Sequence, residues 1–219
     1  MFKKLFLFAA VSAFAVTTSV AQDSGDDFAQ YGAGLAISPF GPSLNLTYNL
    51  DAKNSISAGF GFSPEVDAPD ALLPEITDLI SVTGSSSWMG IFWRHRPLEN
   101  PNFGVNIGMA AGQIDQNLFF GNLEGEPVTF DVNYTENPVM YLGLSYGLKP
   151  VKGLQFGVDL GVLSTGGAEI AYTGHEHDHG DEDHAEEIEA RLDGYADEIK
   201  DKFAWTMLPN IQIGVSYGF

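Results

Sequence analysis

The chain ends on Ile211-Gln212-Ile213-Gly214-Val215-Ser216-Tyr217-Gly218-Phe219. Bulky apolar side chains occupy every odd-numbered position of this stretch, and small or polar side chains occupy every even-numbered position. Because successive side chains of a β-strand point to opposite faces, the alternation predicts a strand with one apolar face and one small, polar face.

The same alternation recurs upstream in segments of about ten residues, the length that a tilted strand needs to cross a bilayer. Including the C-terminal stretch, the segments are 31–37, 44–50, 55–62, 86–95, 103–109, 140–148, 154–162 and 211–219. The phase of segment 86–95 is left open, because Phe92 and Trp93 are adjacent. The pattern therefore predicts eight strands.

The small face of these segments decides between two all-β folds. A water-soluble sandwich also alternates, but its wet face would carry Lys, Glu and Arg. Here that face is nearly all Gly, Ser, Asn, Gln and Thr. We therefore predict an eight-stranded antiparallel transmembrane β-barrel with up-and-down topology, whose apolar side chains face lipid and whose small ones face the lumen.

The first 21 residues have the pattern of a cleaved export signal. Lys3 and Lys4 precede an apolar run over residues 5–16, and Ser19 and Ala21 suit a cleavage site before Gln22. The run is too short for a membrane-spanning helix, and no later stretch offers about 18 uninterrupted apolar residues. A helical inner-membrane protein is excluded, and residues 22–219 are predicted to form the barrel domain.

Composition excludes two further classes of protein. The chain has 10 basic and 29 acidic residues, a formal net charge of −19, and no cysteine. Nucleic acid is not an expected partner, because phosphate binding needs positive charge. Disulfide bonds are impossible.

The connections between the predicted strands alternate in length. Residues 51–54, 96–102 and 149–152 are short, whereas the stretches of about 64–85, 112–138 and 164–205 are long and hold 23 of the 29 acidic residues. This alternation predicts periplasmic turns at one end and extracellular loops at the other. The short connection 38–43 is the exception. Within the long loops, apolar spacing predicts helical segments over 185–205 and 71–80.

Tyr217 and Phe219 place aromatic residues at the third-last and last positions. This ending resembles the C-terminal strand of bacterial outer-membrane barrels, which the barrel assembly machinery recognises. With the signal and the eight segments, the chain resembles the small eight-stranded superfamily of OmpA-like and OmpW-like barrels. The resemblance implies a Gram-negative outer membrane, with lipid and lipopolysaccharide as partners. It leaves the oligomeric state open.

Four of the five histidines lie within ten residues. His175, His177 and His179 would project to one side of an extended loop, and His184 or Asp181 could complete a four-coordinate site for Zn²⁺, Ni²⁺ or Cu²⁺. The alternative is a solvated acidic loop that binds metal only incidentally. No other cofactor is expected.

The predicted lumen holds one notable pair of charges. Asp159 falls on the small face of its strand, and we expect it to pair with Arg94 if that side chain points inward, because a lone buried acid is costly. His95 has no serine or carboxylate at catalytic spacing, so an enzyme is not expected.

Aromatic side chains are predicted to form belts at the membrane interfaces: Tyr48, Trp88, Phe92, Trp93, Tyr146 and Phe219.

Two functions remain open at this point. One is a structural or surface-interaction barrel with an acidic, histidine-containing loop outside. The other is a narrow porin or uptake protein for cations or metal ions, with the histidine segment as collector. An eight-stranded barrel is about filled by its own side chains, which argues against a pore. The many lumen glycines argue for free space.

Overall fold

A computed structural model describes residues 28–68, 73, 75–123, 126–134, 138–173 and 182–219. The predicted export signal lies outside these residues. The elements in chain order are β1(Tyr31–Ser38), β2(Gly41–Asn49), β3(Asn54–Asp67), β4(Leu79–His95), β5(Phe103–Leu123), β6(Glu126–Tyr134), β7(Val139–Gly147), β8(Gly153–Ser164), β9(Glu169–Thr173), α1(Glu182–Phe203) and β10(Met207–Gly218).

Eight strands close into a ring in the order β4-β3-β2-β1-β10-β8-β7-β5, and pairing between β4 and β5 completes it. All neighbouring strands in the ring are antiparallel. Each of the eight predicted strands is present, so the predicted barrel fold is confirmed. Phe219 and Tyr31 exchange backbone hydrogen bonds of 2.9 and 3.0 Å where the last strand meets the first.

The wall of the ring is much taller on one side than on the other. β4 and β5 have 17 and 21 residues, whereas β1 and β2 have 8 and 9. Above the ring, β6 pairs with the end of β5, and β9 pairs with β6. We call this upper part, with α1 and the ends of β3 to β5, the cap. The end of the ring that carries the connections 50–53, 96–102 and 148–152 is the turn end.

The cap contains regular secondary structure where the sequence predicts long loops. The sequence predicts residues 64–85, 112–138 and 164–205 as long loops with helical segments, whereas their described parts also contain strand extensions, β6 and β9. The helix predicted over 185–205 is present as α1 over 182–203. The helix predicted over 71–80 is wrong in its described part, because Asp78 has a φ of 63° in a turn and β4 begins at Leu79.

The two faces of β4 and β5 exchange polarity along their length. Within the ring, Met89, Ile91 and Trp93 point outward and are 63, 61 and 43% exposed. Further along the same outward face, in the cap, the side chains are polar: Thr83, Ser85 and Ser87 on β4, and Gln113, Asp115 and Asn117 on β5. The inner face changes in the opposite sense, from the polar lumen to a buried apolar core in the cap.

The apolar core of the cap lies between the inner face of the tall wall and α1. Its wall side includes Val82, Leu118 and Phe130, which are at most 1% exposed. Leu192, Ile199 and Phe203 supply the helix side. The Phe120 ring centroid lies 5.1 Å from those of both Phe130 and Tyr195. No helix in the described part of the chain is long and apolar enough to cross a membrane.

One hydrogen bond fastens the end of α1 to the sheet. The hydroxyl of Tyr134, on β6, donates to the backbone oxygen of Phe203. Burial raises the pKa of Tyr134 to about 12, so the phenol remains a donor at neutral pH. Because the folded-state pKa is raised, the stabilisation is present below the unfolded-state pKa of about 10 and is lost as pH rises towards 12.

We expect Tyr134→Phe to destabilise the cap by about 1 kcal/mol, the net value of a typical hydrogen bond. Without the Tyr134 phenol to ionise, the stability of the cap should also fall less between pH 10 and pH 12 in this variant than in the wild type. Proteolysis of the cap at pH 7 and pH 11 measures both effects. Tyr172→Phe, on β9, is the matched control, since Tyr172 is exposed. Equal proteolysis of the two variants would contradict this assignment.

Candidate functional site in the barrel lumen

A polar cluster crosses the middle of the lumen from β4 and β5 to β7 and β8. Arg94 Nη2 lies 3.4 Å from Asp159 Oδ2, and Arg94 Nε donates to Asn106 Oδ1 at 2.8 Å. Asn106 Nδ2 and the Tyr141 hydroxyl also donate to Asp159. The structure thus brings together the Arg94 and Asp159 that the sequence pairs. We call these four residues the lumen cluster.

The register of the strands explains why this cluster forms. Arg94 is directly opposite Asn106 across β4 and β5, and Asp159 is opposite Ser145 across β7 and β8. All of these positions lie on the small, lumen-facing side of their strands. Asp159 is only 7% exposed. A buried charge of this kind is tolerated because an opposite charge and neutral donors surround it.

A second buried cation, Arg96, lies at the turn end and was missed by the sequence analysis. It is 2% exposed, and its guanidinium donates to Ser55 Oγ at 2.8 Å and to the Leu148 oxygen at 2.9 Å. Ser55 donates to Asn49 Oδ1 at 2.6 Å. Oxygen dipoles from β3 and from the turn after β7 therefore hold this charge. Arg96 follows the alternating segment in a predicted turn, so strand periodicity gave no signal for it.

Three aromatic rings fill much of the remaining lumen. Trp88 and Phe92 meet edge to face at 6.2 Å between centroids, and Phe92 and Tyr141 do so at 5.6 Å. Trp88 and Phe92 were predicted to lie in the interfacial belts, and that prediction is wrong. The unresolved phase of their segment is the reason. Tyr48, Trp93, Tyr146 and Phe219 do face outward and are exposed.

The lumen glycines provide the room for these rings. A methyl group on Gly61 would overlap Trp88, one on Gly108 would overlap Phe92, and one on Gly143 or Gly161 would overlap Tyr141. The space that glycine leaves is therefore occupied by aromatic side chains.

We expect Gly161→Ala to destabilise the barrel by about 1–3 kcal/mol, because an added methyl group in a filled interior forces its neighbours to move. Gly194→Ala is the matched control, since that glycine of α1 has nothing within 4 Å of the new methyl group. The control should gain up to about 1 kcal/mol from helix propensity. Denaturant unfolding in detergent micelles measures both, and a neutral Gly161→Ala would disprove the filled lumen.

Two cavities meet at the mouth of the ring. One of about 150 Å³ runs inside the lumen, from Leu148 and Lys149 at the turn end to Ser38 and Phe40 at the mouth. The other, of about 330 Å³, lies between the cap and the β1–β2 turn, and we call it the vestibule. Both are lined by four shared residues: Ser38, Phe40, Ile114 and Tyr134.

The short connection 38–43 has a role at this junction. The Phe40 backbone oxygen accepts hydrogen bonds from Ser86 Oγ at 2.8 Å and from Trp88 Nε1 at 3.4 Å. These bonds hold the β1–β2 turn over the mouth, between the lumen cavity and the vestibule. The turn is short because it meets the inner wall directly and does not extend into the cap.

The structure leaves the predicted metal site undescribed. His175, His177, His179 and Asp181 lie outside the described residues, and His184 lies in the first turn of α1. In the described part of the chain, no group of three or more His, Asp or Glu side chains could hold a metal ion. The metal site therefore stays a prediction from the sequence.

The other predicted residues have clear positions. Tyr217 and Phe219 are 57 and 58% exposed on the outward face of β10, beside the seam with β1. His95 Nδ1 lies 3.0 Å from Asn54 Oδ1, and its ring centroid lies 5.5 Å from that of Trp93, with the two planes tilted by 30°. His95 is therefore held by an amide and an indole at the turn end.

Two solved structures share this fold. CarO of Acinetobacter baumannii aligns with a TM-score of 0.60 over 86% of this chain and 97% of its own, at 16% sequence identity. CarO2 of the same organism aligns with a TM-score of 0.62 over 89% of this chain and 100% of its own, also at 16% identity. No family model and no curated protein matches the sequence. The likeness supports the barrel fold, whereas the narrower resemblance to OmpA-like and OmpW-like barrels stays a prediction.

Proposed function

We propose that this chain is an integral outer-membrane β-barrel protein of structural or surface-interaction type, which anchors a folded cap at the cell surface. The exchange of polarity along β4 and β5 is the observation that carries the proposal. A water-soluble protein rarely exposes a contiguous apolar band, whereas a transmembrane barrel needs one. The polar outward face of the cap then lies beyond the hydrocarbon.

The filled lumen supports an anchor more than an open channel. The lumen cluster links side chains of four consecutive strands, β8, β7, β5 and β4, across the lumen, and the aromatic rings occupy the space that the glycines leave. Above them, the Phe40 turn and the core of the cap cover the mouth. Ions would have to displace side chains that are packed and hydrogen-bonded.

Single-channel recording in planar bilayers tests this proposal. The purified protein should give no reproducible conductance step, because the lumen cluster and the aromatic rings narrow the lumen cavity to about 150 Å³. The Trp88→Ala/Phe92→Ala double variant removes two rings, and it should conduct more often than the wild type. Regular, large steps from the wild type would overturn the closed anchor.

A second function is favoured by the junction of the two cavities. The vestibule and the lumen cavity share Phe40, so a small displacement of the β1–β2 turn would connect them. This would allow narrow, gated uptake of a small cation through an otherwise filled barrel. Conductance steps that appear only after Phe40→Gly would favour this function over the permanently closed anchor.

The proposal also includes the histidine segment, His175 to His184, which would bind Zn²⁺ or a related ion at the cell surface. Protonated imidazole cannot ligate a metal, so binding should weaken as pH falls through about 6.5. Zinc titration of the wild type against a variant with alanine at His175, His177 and His179 tests it. Equal affinities would remove the collector from the proposal.

A further inference from the structure

The outward face of the cap carries a compact group of oxygen-bearing side chains. They occupy two neighbouring rows across β4, β5 and β6, and directly opposite residues in a row share a face. Positions two apart on a strand also share a face, so the two rows form one patch. We call this patch the oxygen grid, and its rows are Thr83-Asn117-Asp131 and Ser85-Asp115-Asn133. Asp67 of β3 continues the first row beyond Thr83, and Glu169 of β9 continues the second beyond Asn133.

The grid lacks the partners that such side chains normally have. None of the side-chain hydrogen bonds or ion pairs among the described residues involves a member of the grid. Thr83 is the clearest case: it is 7% exposed, and its Oγ1 has no hydrogen-bond partner. A buried hydroxyl without a partner costs about 1–3 kcal/mol, so an interaction is missing at this position.

The charges on the grid point to a cation. Asp115 and Asp131 lie diagonally across β5 and β6, close enough for their negative charges to repel each other. No lysine, arginine or histidine among the described residues forms an ion pair with either. Lys202 of α1 lines the vestibule together with Ser85 and Asp115, but its ammonium group is engaged by Glu198 and by the backbone oxygen of Glu75, both at 2.6 Å.

We propose that the oxygen grid binds a hard divalent cation of the Ca²⁺ class. Asp115 and Asp131 would supply the two carboxylates, and the Asn117 amide oxygen and the Thr83 hydroxyl would supply neutral ligands between and beside them. Ca²⁺ takes six to eight oxygen ligands in flexible geometry, which suits a patch of carboxylate, amide and hydroxyl oxygens completed by water. The grid has no imidazole or thiolate, so it is unsuited to Zn²⁺ or Cu²⁺.

A bound cation would join three strands of the cap by their outward faces. It would remove the repulsion between Asp115 and Asp131 and give Thr83 a partner. The site is distinct from the predicted histidine segment and does not depend on whether the barrel conducts. It also does not depend on the hydrocarbon boundary, because it needs only the registers of β4, β5 and β6.

Calorimetric titration of the purified, detergent-solubilised protein with CaCl₂ tests the proposal. Asp115→Asn/Asp131→Asn should weaken binding at least about tenfold, since both charged ligands are lost. Glu189→Gln/Asp193→Asn removes the same charge from exposed positions of α1 and should leave the affinity unchanged. Thr83→Val keeps both carboxylates and should weaken binding several-fold, which generic attraction by acidic residues would not produce.

The Ca²⁺ affinities of these variants distinguish a specific site from general attraction of the cation by acidic residues. Equal losses in the two charge-removing variants, or an unchanged Thr83→Val, would overturn the proposal. So would the absence of a saturable Ca²⁺ transition in the wild type. A heat-modifiable mobility shift on gels shows that each variant has folded, and the asparagine replacements have nearly the same shape as aspartate. Zn²⁺ in place of Ca²⁺ should bind identically to the wild type and to Asp115→Asn/Asp131→Asn.

Discussion

Asp159→Leu is expected to destabilise the barrel by about 3–5 kcal/mol, the usual cost of leaving one member of a buried ion pair without its partner. The variant leaves the Arg94 guanidinium in the lumen without a counter-charge. It also removes the acceptor for the Tyr141 hydroxyl and for Asn106 Nδ2. Denaturant unfolding in phospholipid vesicles, followed by tryptophan fluorescence, measures the change.

The double variant Arg94→Met/Asp159→Leu separates the ion pair from simple packing. Replacing both members of a buried pair with apolar residues of similar volume is often neutral, so the double variant should recover most of the lost stability. A double variant as unstable as Asp159→Leu would show that packing around residue 159 determines the loss. A single variant within about 0.5 kcal/mol of wild type would contradict a structural lumen cluster.

Ile91→Arg is expected to destabilise the membrane-inserted barrel by about 2–4 kcal/mol, the cost of an arginine on the lipid face near the bilayer centre. Ile91 is 61% exposed on the outward face of β4, within the apolar band. Arginine there must either enter the hydrocarbon or bend towards an interface. The fraction of protein that inserts into vesicles, and its unfolding midpoint, should both fall.

Ser85→Arg is the matched control for that variant. Ser85 lies on the same strand and the same face as Ile91, but in the cap. If the cap lies outside the hydrocarbon, this arginine should cost no more than about 1 kcal/mol. Equal effects of Ile91→Arg and Ser85→Arg would mean that the change of polarity along β4 does not mark the membrane boundary.

The ring could be predicted from the sequence because its strands have a single, strict period. In β10 and β7, every second side chain is bulky and apolar, as the proposed contact of one whole face with lipid requires. The pairing of Asp159 with Arg94 in the lumen could be predicted for the same reason. Asp159 is an acid on a face that is otherwise small and neutral, so it needs a nearby cation.

The cap could not be predicted in the same way, because its strands continue those of the ring with the opposite pattern. On β5 the bulky apolar side chains stand at odd positions up to Met109, whereas those that pack in the core of the cap, Ile114, Leu118 and Phe120, stand at even positions. The strand itself does not break between them. In the proposed membrane position, what changes is the environment of each face: lipid outside and polar lumen inside give way to solvent outside and an apolar core inside. A search for one continuous period ends the strand at that change and assigns a loop.

Trp88 and Phe92 show a related limit. Aromatic residues are common both in interfacial belts and in filled interiors, so residue type alone does not give their direction. The positions of Gly61 and Gly108 were the available signal, since a glycine faces each ring from a neighbouring strand. That signal requires the strand registers, which the sequence did not provide.

The central claim is that the outward face of the tall wall crosses from hydrocarbon to water between its apolar and polar halves. The described chain has no free cysteine, and the sequence contains none, so single cysteines can be introduced without background. Cysteines at positions 91 and 107 should resist a membrane-impermeant maleimide on intact cells, whereas cysteines at 85 and 113 should react readily. Rapid labelling at 91 and 107, or protection at all four positions, would contradict the claim.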